Sequence, residues 1–340
     1  MNSLFGLRAS FAPCRFGLTR SYTTQVKPNI KLLAKLRQET EVSMTKAKEA
    51  LVKNDNDYAK ALEWLSADAQ ASGAKKAEKV AGRTAGEGLI TIASVNNRST
   101  MIELNCETDF VSRNDVFKNL AARIATTSLL LHDTPAAGSK AIEHLSVKGL
   151  MNAPLMPLAN ETSADLSKTV QESIVETIGK LGENITLRRA AVVVDGVSAA
   201  YVHGGDSAAG NIGGIAVLQP RKVTVGELEE KGRAALAKTA RQVARQVVGY
   251  SPVYLTKDQV PASVLEQNNP EEYITNSVLT EQAFMLRPDQ NVAVYVDEVA
   301  KNAGLEGAEV VDFARWQVGE GIEKKESDFA DEVMRTVRGN

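Results

Sequence analysis

The spacing of apolar residues changes sharply near Leu89. Before it they recur every three or four positions, and after it they alternate with polar residues, so helical and sheet-bearing parts must follow one another along the chain. In the first part Ile30, Leu32, Leu33 and Leu36 share one arc, with Lys31, Lys35 and Gln38 opposite. Met44, Ala47 and Leu51 form a second stripe, Asn54 to Asp57 breaks and caps, and Tyr58, Ala61, Leu62 and Leu65 form a third. This predicts a three-helix module over residues 24–74. A core that small is marginal alone, which suits a docking role. Ala74 to Gly88, rich in small and basic residues and without an apolar period, reads as a linker, giving a boundary at 75–88.

Beyond the linker, Leu89 to Val95 and Thr100 to Glu107 read as a hairpin. Ile102, Leu104 and Cys106 alternate with Glu103, Asn105 and Glu107, predicting one buried and one wet face. A helix carrying Phe117, Leu120, Ile124 and Leu131 follows, then a looser stretch from His132 to Asn160 and a helix from Thr162 to Leu181. Three further strands begin at Ile185, with Asp195-Gly196 as the first turn, and lead to a helix over Gly226 to Val248. Hairpin-then-helix thus occurs twice. The expected fold class is α+β, with antiparallel-sheet subdomains at 89–183 and 184–310. Helices around Ser263 to Ala283 and Val292 to Ala303, a strand from Ala308 and a short charged helix complete the chain, with residues 311–340 as a C-terminal strand and helix module.

Composition excludes several classes. A formal net charge of -2 gives no global positive field, and aromatic residues are only 5% of the chain, so neither a polyanion partner nor a base-stacking surface is expected. No apolar run reaches the roughly 20 residues that cross a bilayer as a helix. His132, His144 and His203 are the only histidines and none sits near another at metal-binding helical spacing, so no catalytic site, metal or cofactor is expected. Cys106 reads as a small buried apolar side chain. His203 to Gly214 is glycine-rich but lacks the Lys-Ser/Thr pair of a phosphate loop and runs into a strand, so it reads as a loop between strands and not as a small-molecule site. Residues 1–23 carry Arg8, Arg15 and Arg20 with Ser, Thr and no acid, as a mitochondrial transit peptide does. Its removal would leave a more acidic chain, suited to a basic partner.

The stretch Asn105 to Asp115, NCETDFVSRND, sets Phe110 among polar side chains. Strand phase would turn Phe110 to the core. Against this, Asp109 interrupts, Ser112 with Asp115 forms a capping-box pattern for the next helix, and Thr108 is placed to cap a short turn. Spacing leaves core and exposed placements equally open. Arg37 falls within the apolar arc of Ile30 and Leu33, either reaching water along the core edge or facing a partner.

Three segments, Lys35 to Leu65, Ile102 to Ala121 and Gln317 to Val333, closely resemble elongation factor Ts in its mitochondrial form, with Thr108-Asp109-Phe110-Val111 as the family's signature. The resemblance implies a ubiquitin-associated-like N-terminal module, a core of two α+β subdomains, and guanine-nucleotide exchange on elongation factor Tu in the mitochondrial matrix. It further implies that Asp109 and Phe110 wedge near the magnesium and phosphate site of that GTPase, with contacts also near Arg37, Met44 and His203. Ser43-Met44-Thr45 departs from the Gly-Met-Met common in bacterial relatives, the stretch after His203 is longer than usual, and Pro261 to Met285 is too short for the bacterial helical hairpin. A different reading gives the three-helix module a ubiquitin-like partner and makes the protein an adaptor.

Overall fold

The computed structural model describes residues 26–40, 42–131, 140–158 and 167–322. The expected transit segment, His132, the first residues of the helix expected from Thr162, and the expected C-terminal helix lie outside these residues. The chain divides into two compact units, Met1–Ala67 and Asp68–Asn340.

In the first unit, helices α1 (Ile30–Thr40) and α2 (Met44–Lys53) pack with the start of α3 (Tyr58–Val80) around Leu36, Ala47, Ala50, Leu51, Ala61 and Leu65. The Ser43 side chain caps α2 by accepting from the Lys46 amide. Asp55 and Asn56 take positive φ, and Asn56 Oδ1 accepts from the Asn29 amide at 2.8 Å, tying the turn to the start of α1. Two residues expected in the apolar stripes, Ile30 and Met44, are instead 80% and 51% exposed, because each is the first residue of its helix and lies beyond the small core.

The expected linker is helical up to Val80. Its apolar period is masked because small residues make the contact. A Cβ at Gly73 would lie 2.7 Å from the Val175 carbonyl oxygen, and one at Gly179 would lie 3.0 Å from Gly73 Cα, so the two backbones approach closely there. Val80 is buried in the core and Ala77 packs against it.

The second unit contains β1 (Glu87–Val95), β2 (Arg98–Cys106), α4 (Asp109–Ser112), α5 (Asp115–Leu130), β3 (Ile142–His144), α6 (Val147–Met151), α7 (Val170–Leu181), β4 (Thr186–Val193) and β5 (Val197–His203). It continues with β6 (Ala209–Gly210), β7 (Ile212–Pro220), α8 (Glu230–Tyr250), α9 (Ala262–Gln267), α10 (Pro270–Ser277), β8 (Ala283–Phe284), β9 (Arg287–Asn291), α11 (Val292–Asn302) and β10 (Ala308–Gln317). The fold is α+β. One antiparallel sheet has the order β3-β4-β2-β1-β6, another the order β10-β7-β5, and β8 and β9 form a small pair.

These elements stack as helix, sheet, sheet, helix. Ile102, Leu104 and Cys106 of β2 face α5 and α7, where Phe117, Ile124, Val170, Ile174 and Ile178 complete a core. Met101 and Ile90, on the other face, meet Ala200, Val202, Ile215 and Val217 of the second sheet. Ala216 and Leu218 then face α8 and α11. The sheets meet closely: a Cβ at Gly213 would fall 2.4 Å from Ile90 Cγ2 and 2.8 Å from Met101 Sδ. That contact accounts for Gly213, one of the glycines after His203, without any phosphate.

Three expectations about the sheets are corrected. The odd face of β2 is not wet, since Glu103 and Asn105 are buried where the second sheet covers the first. Asp195-Gly196 does not close a hairpin: β4 pairs with β2 and β3, while β5 pairs with β7, so the chain crosses between sheets at this point. The last strand is integral to the second sheet, paired along β7, so the sheets do not follow divisions at 184 and 311. Leu131, expected in the core, is half exposed just past the end of α5. Between Pro261 and Met285 stand only the short helices α9 and α10, a 3-10 turn and β8.

Candidate functional site

Where β2 ends, the chain turns through Glu107 and Thr108 into the single turn of α4. Thr108 is extended, and its hydroxyl oxygen accepts from the Val111 amide, closing the N-terminus of that turn. Its amide and hydroxyl both donate to the Glu183 carboxylate, at 3.1 and 2.6 Å. Ser112 Oγ donates to the Asp109 carbonyl at 2.9 Å, and Asp109 pairs with Arg113 at 2.9 Å.

On this turn Val111 and Ser112 point into the molecule while Phe110 points out, 81% exposed. The choice left open by strand phase is thus decided by the cap at Thr108: β2 stops at Cys106, and a helical turn rotates position 110 away from the core. Ser112 does not start the next helix. Asn114 does, its Oδ1 accepting from the Val116 amide at 2.8 Å, while buried Ser112 serves the preceding turn. Cys106 is fully buried and its thiol donates to the Thr108 carbonyl. Burial, aided by the negative charge of Glu183, pushes that thiol up to about 12, so it is no nucleophile.

The face of β2 turned away from the helices carries a buried carboxylate. Glu103 accepts from Arg188 Nη1 at 3.0 Å, Arg189 Nε at 2.5 Å, the Gly319 amide at 2.9 Å and Asn105 Nδ2 at 3.3 Å. Arg188 also donates to the Glu320 carbonyl, and Arg189 lies 4.5 Å over the Trp316 ring. The carboxylate therefore pins the end of β10 to the middle of the first sheet.

The other sequence-nominated residues lie elsewhere. Arg37 is exposed on α1 and Met44 is exposed at the start of α2, both in the first unit. His203 is exposed at the end of β5. After it the chain folds on itself, with Asp206 Oδ1 accepting from the Ala208 and Ala209 amides, and then adds β6 to the edge of β1. Asp206 also reaches Lys118 of α5 at 4.0 Å, tethering this stretch to the helix that follows the Phe110 corner. Glu183 and Glu103 were missed in the sequence. Glu183 sits in a helix-to-strand connector 75 residues from Thr108, and Glu103 has the alternation of a solvent-facing strand residue.

Among the described residues no group of three or more His, Cys, Asp or Glu is arranged to hold a metal ion, and no helix is long and apolar enough to cross a membrane. The described residues thus define an α+β protein that displays an exposed phenylalanine beside an acid on a braced corner. The Elongation factor TS family model matches residues 107–273, which begin at this corner. The chain is 37% identical to "Elongation factor Ts, mitochondrial" of Coprinopsis cinerea over 334 residues, covering 88% of this chain and 94% of that protein. It is 36% identical to the protein of the same name from Laccaria bicolor, over 92% and 99% of the two chains, and 35% identical to "Elongation factor Ts" of Sinorhizobium fredii, over 89% and 97%. The chain belongs to the elongation factor Ts family.

Proposed function

We propose that the protein is the guanine-nucleotide exchange factor for elongation factor Tu in mitochondrial translation elongation, acting in the matrix, with Asp109 and Phe110 as the wedge that loosens GDP. The observation that carries this reading is the 81% exposure of Phe110 on a turn whose neighbours Val111 and Ser112 are buried. A large apolar side chain held out on a capped corner gains by inserting into a partner. Asp109, half exposed and paired across its own turn to Arg113, can exchange that weak surface pair for a contact on the GTPase.

Such a factor transfers no proton and forms no bond. It works by coupling: if the bound factor weakens GDP, GDP weakens the bound factor by the same ratio. Burying one phenylalanine side chain supplies roughly 1.5 to 3 kcal/mol. At about 1.4 kcal/mol per decade this is on the order of 10- to 100-fold. Contacts at Arg37, Met44 and His203, each exposed, supply the remainder by holding the GTPase open. Thr108 and Val111 set the wedge, by capping and by anchoring. The composition of residues 1–23 and the mitochondrial names of two fungal relatives support the location.

Release of a fluorescent GDP analogue from elongation factor Tu tests the reading. Addition of the mature protein should accelerate release at substoichiometric concentration. Unchanged release, with capture of a ubiquitin-like protein instead, would replace it with the adaptor reading.

A further inference from the structure

We propose that Glu183 is the positioning residue of the Phe110 corner, setting the direction of the wedge from the far side of the connector between α7 and β4. The role rests on the exchange reading above. Its physical basis is a short directional relay. An ionised carboxylate offers only acceptors, so Glu183 takes both protons that Thr108 has to give, from the amide at 3.1 Å and from the hydroxyl at 2.6 Å. With its one proton committed to Glu183, the hydroxyl presents a lone pair to the Val111 amide, the bond that caps α4. Glu183 thus holds Thr108 by both its amide and its hydroxyl at the point where Thr108 caps the turn that carries Phe110 outward and Val111 inward.

The relay belongs to a reciprocal brace between two connectors. Glu107, on the connector from β2 to α4, accepts from the Asn184 amide at 2.7 Å, while Glu183, adjacent to Asn184, accepts from Thr108. Asn184 Nδ2 donates to the Arg83 carbonyl at 2.8 Å, and Arg83 reaches back to Glu107 at 3.5 Å. Each connector therefore holds the other by charge-assisted bonds. Glu183 follows Gly182, the left-handed cap of α7, so the end of that helix fixes where the carboxylate stands. A force on Phe110 is transmitted through α4 to a helix–strand junction of the core, which lets a wedge push without folding away.

Glu183→Gln tests this, because the amide keeps the shape but cannot accept from both donors with its nitrogen end. Hydrogen–deuterium exchange on the full chain should become faster in residues 108–113 while α8 and α11 stay unchanged. Exchange stimulation on elongation factor Tu should fall about tenfold, as expected for loss of a charge-assisted hydrogen bond. Placing the same change in a Phe110→Ala background should produce less than about a twofold further loss, since the two residues act as one unit. Thr108→Val, which deletes the hydroxyl at nearly constant shape, should give the same pattern by a second route. Unchanged deuterium uptake at the corner in Glu183→Gln, or an equal loss of stimulation in both backgrounds, would overturn the proposal. Full stimulation by Phe110→Ala would instead remove the wedge reading itself, and the exchange role of Glu183 with it, even if the corner had loosened.

Discussion

Phe110 and Val111 are adjacent in sequence and opposite in environment: Phe110 stands in solvent while Val111 closes the core beside Cys106 and Phe117. A single residue step, about 100° of helical rotation, separates a side chain that holds the corner from one that the corner displays. The two should therefore separate stability from function. Val111→Ala should cost about 2 kcal/mol of unfolding free energy by loss of buried methyl groups. Phe110→Ala should change it by less than about 0.5 kcal/mol, as exposed substitutions do. Urea unfolding followed by circular dichroism measures both.

Glu103 provides a second test. Its carboxylate is fully buried against Arg188 and Arg189, whose side chains are 28% and 26% exposed. Glu103→Gln leaves two guanidinium groups facing a neutral amide. Because water reaches both arginines, the expected loss is about 2 to 3 kcal/mol, below the roughly 3 to 5 kcal/mol for breaking a fully buried pair. A midpoint in urea equal to that of the unaltered protein would mean the pair contributes nothing to the fold.

The same residue explains why the sheet was only partly legible. Alternation in β2 correctly places Ile102, Leu104 and Cys106 on the helix-facing side. It cannot tell that the opposite face meets another sheet, because a charge satisfied by two arginines some 85 residues away looks in sequence like a charge satisfied by water. The path of β4 was hidden for a related reason. Asp195-Gly196 has the chemistry of a hairpin turn, and only pairing with β2 reveals a crossover. The corner was more legible: the capping role of Thr108 could be read from its residue type, and the family signature singled out Phe110. What spacing left open was its direction, which follows from where β2 stops and Thr108 caps the turn.

Glycines at a close contact and on an open surface should respond oppositely to one substitution. In an unobstructed helix Gly→Ala stabilises by about 0.5 to 1 kcal/mol. Gly249→Ala in α8, with nothing within 4 Å of the new Cβ, should follow that rule and raise Tm. Gly73→Ala drives a methyl to 2.7 Å from the Val175 carbonyl and should lower Tm instead, overpacking costing about 1 to 3 kcal/mol. Thermal unfolding of the two variants decides whether the α3–α7 contact is as tight as described.

Glu176 predicts a pH dependence. Burial favours its neutral form, but hydrogen bonding to Lys168 at 2.8 Å and the charges of Lys168 and Lys180 outweigh burial, and its carboxyl lies below its ordinary 4.5. A carboxyl held low in the folded state contributes stability that is fully present above the unfolded value and lost as pH falls through the folded one. Glu176→Gln should therefore be less stable at neutral pH, and the difference should shrink below 4.5. Urea midpoints taken from about pH 7 down to about pH 3 give the comparison.

The central claim is that Phe110 acts as a wedge in nucleotide exchange. Its most direct test is the rate of GDP release from elongation factor Tu with saturating wild-type protein and with saturating Phe110→Ala, using protein shown to be folded. The variant should still bind nucleotide-free Tu but stimulate release on the order of 10- to 100-fold less, the worth of one buried phenylalanine. Release stimulated equally by the two proteins would contradict it.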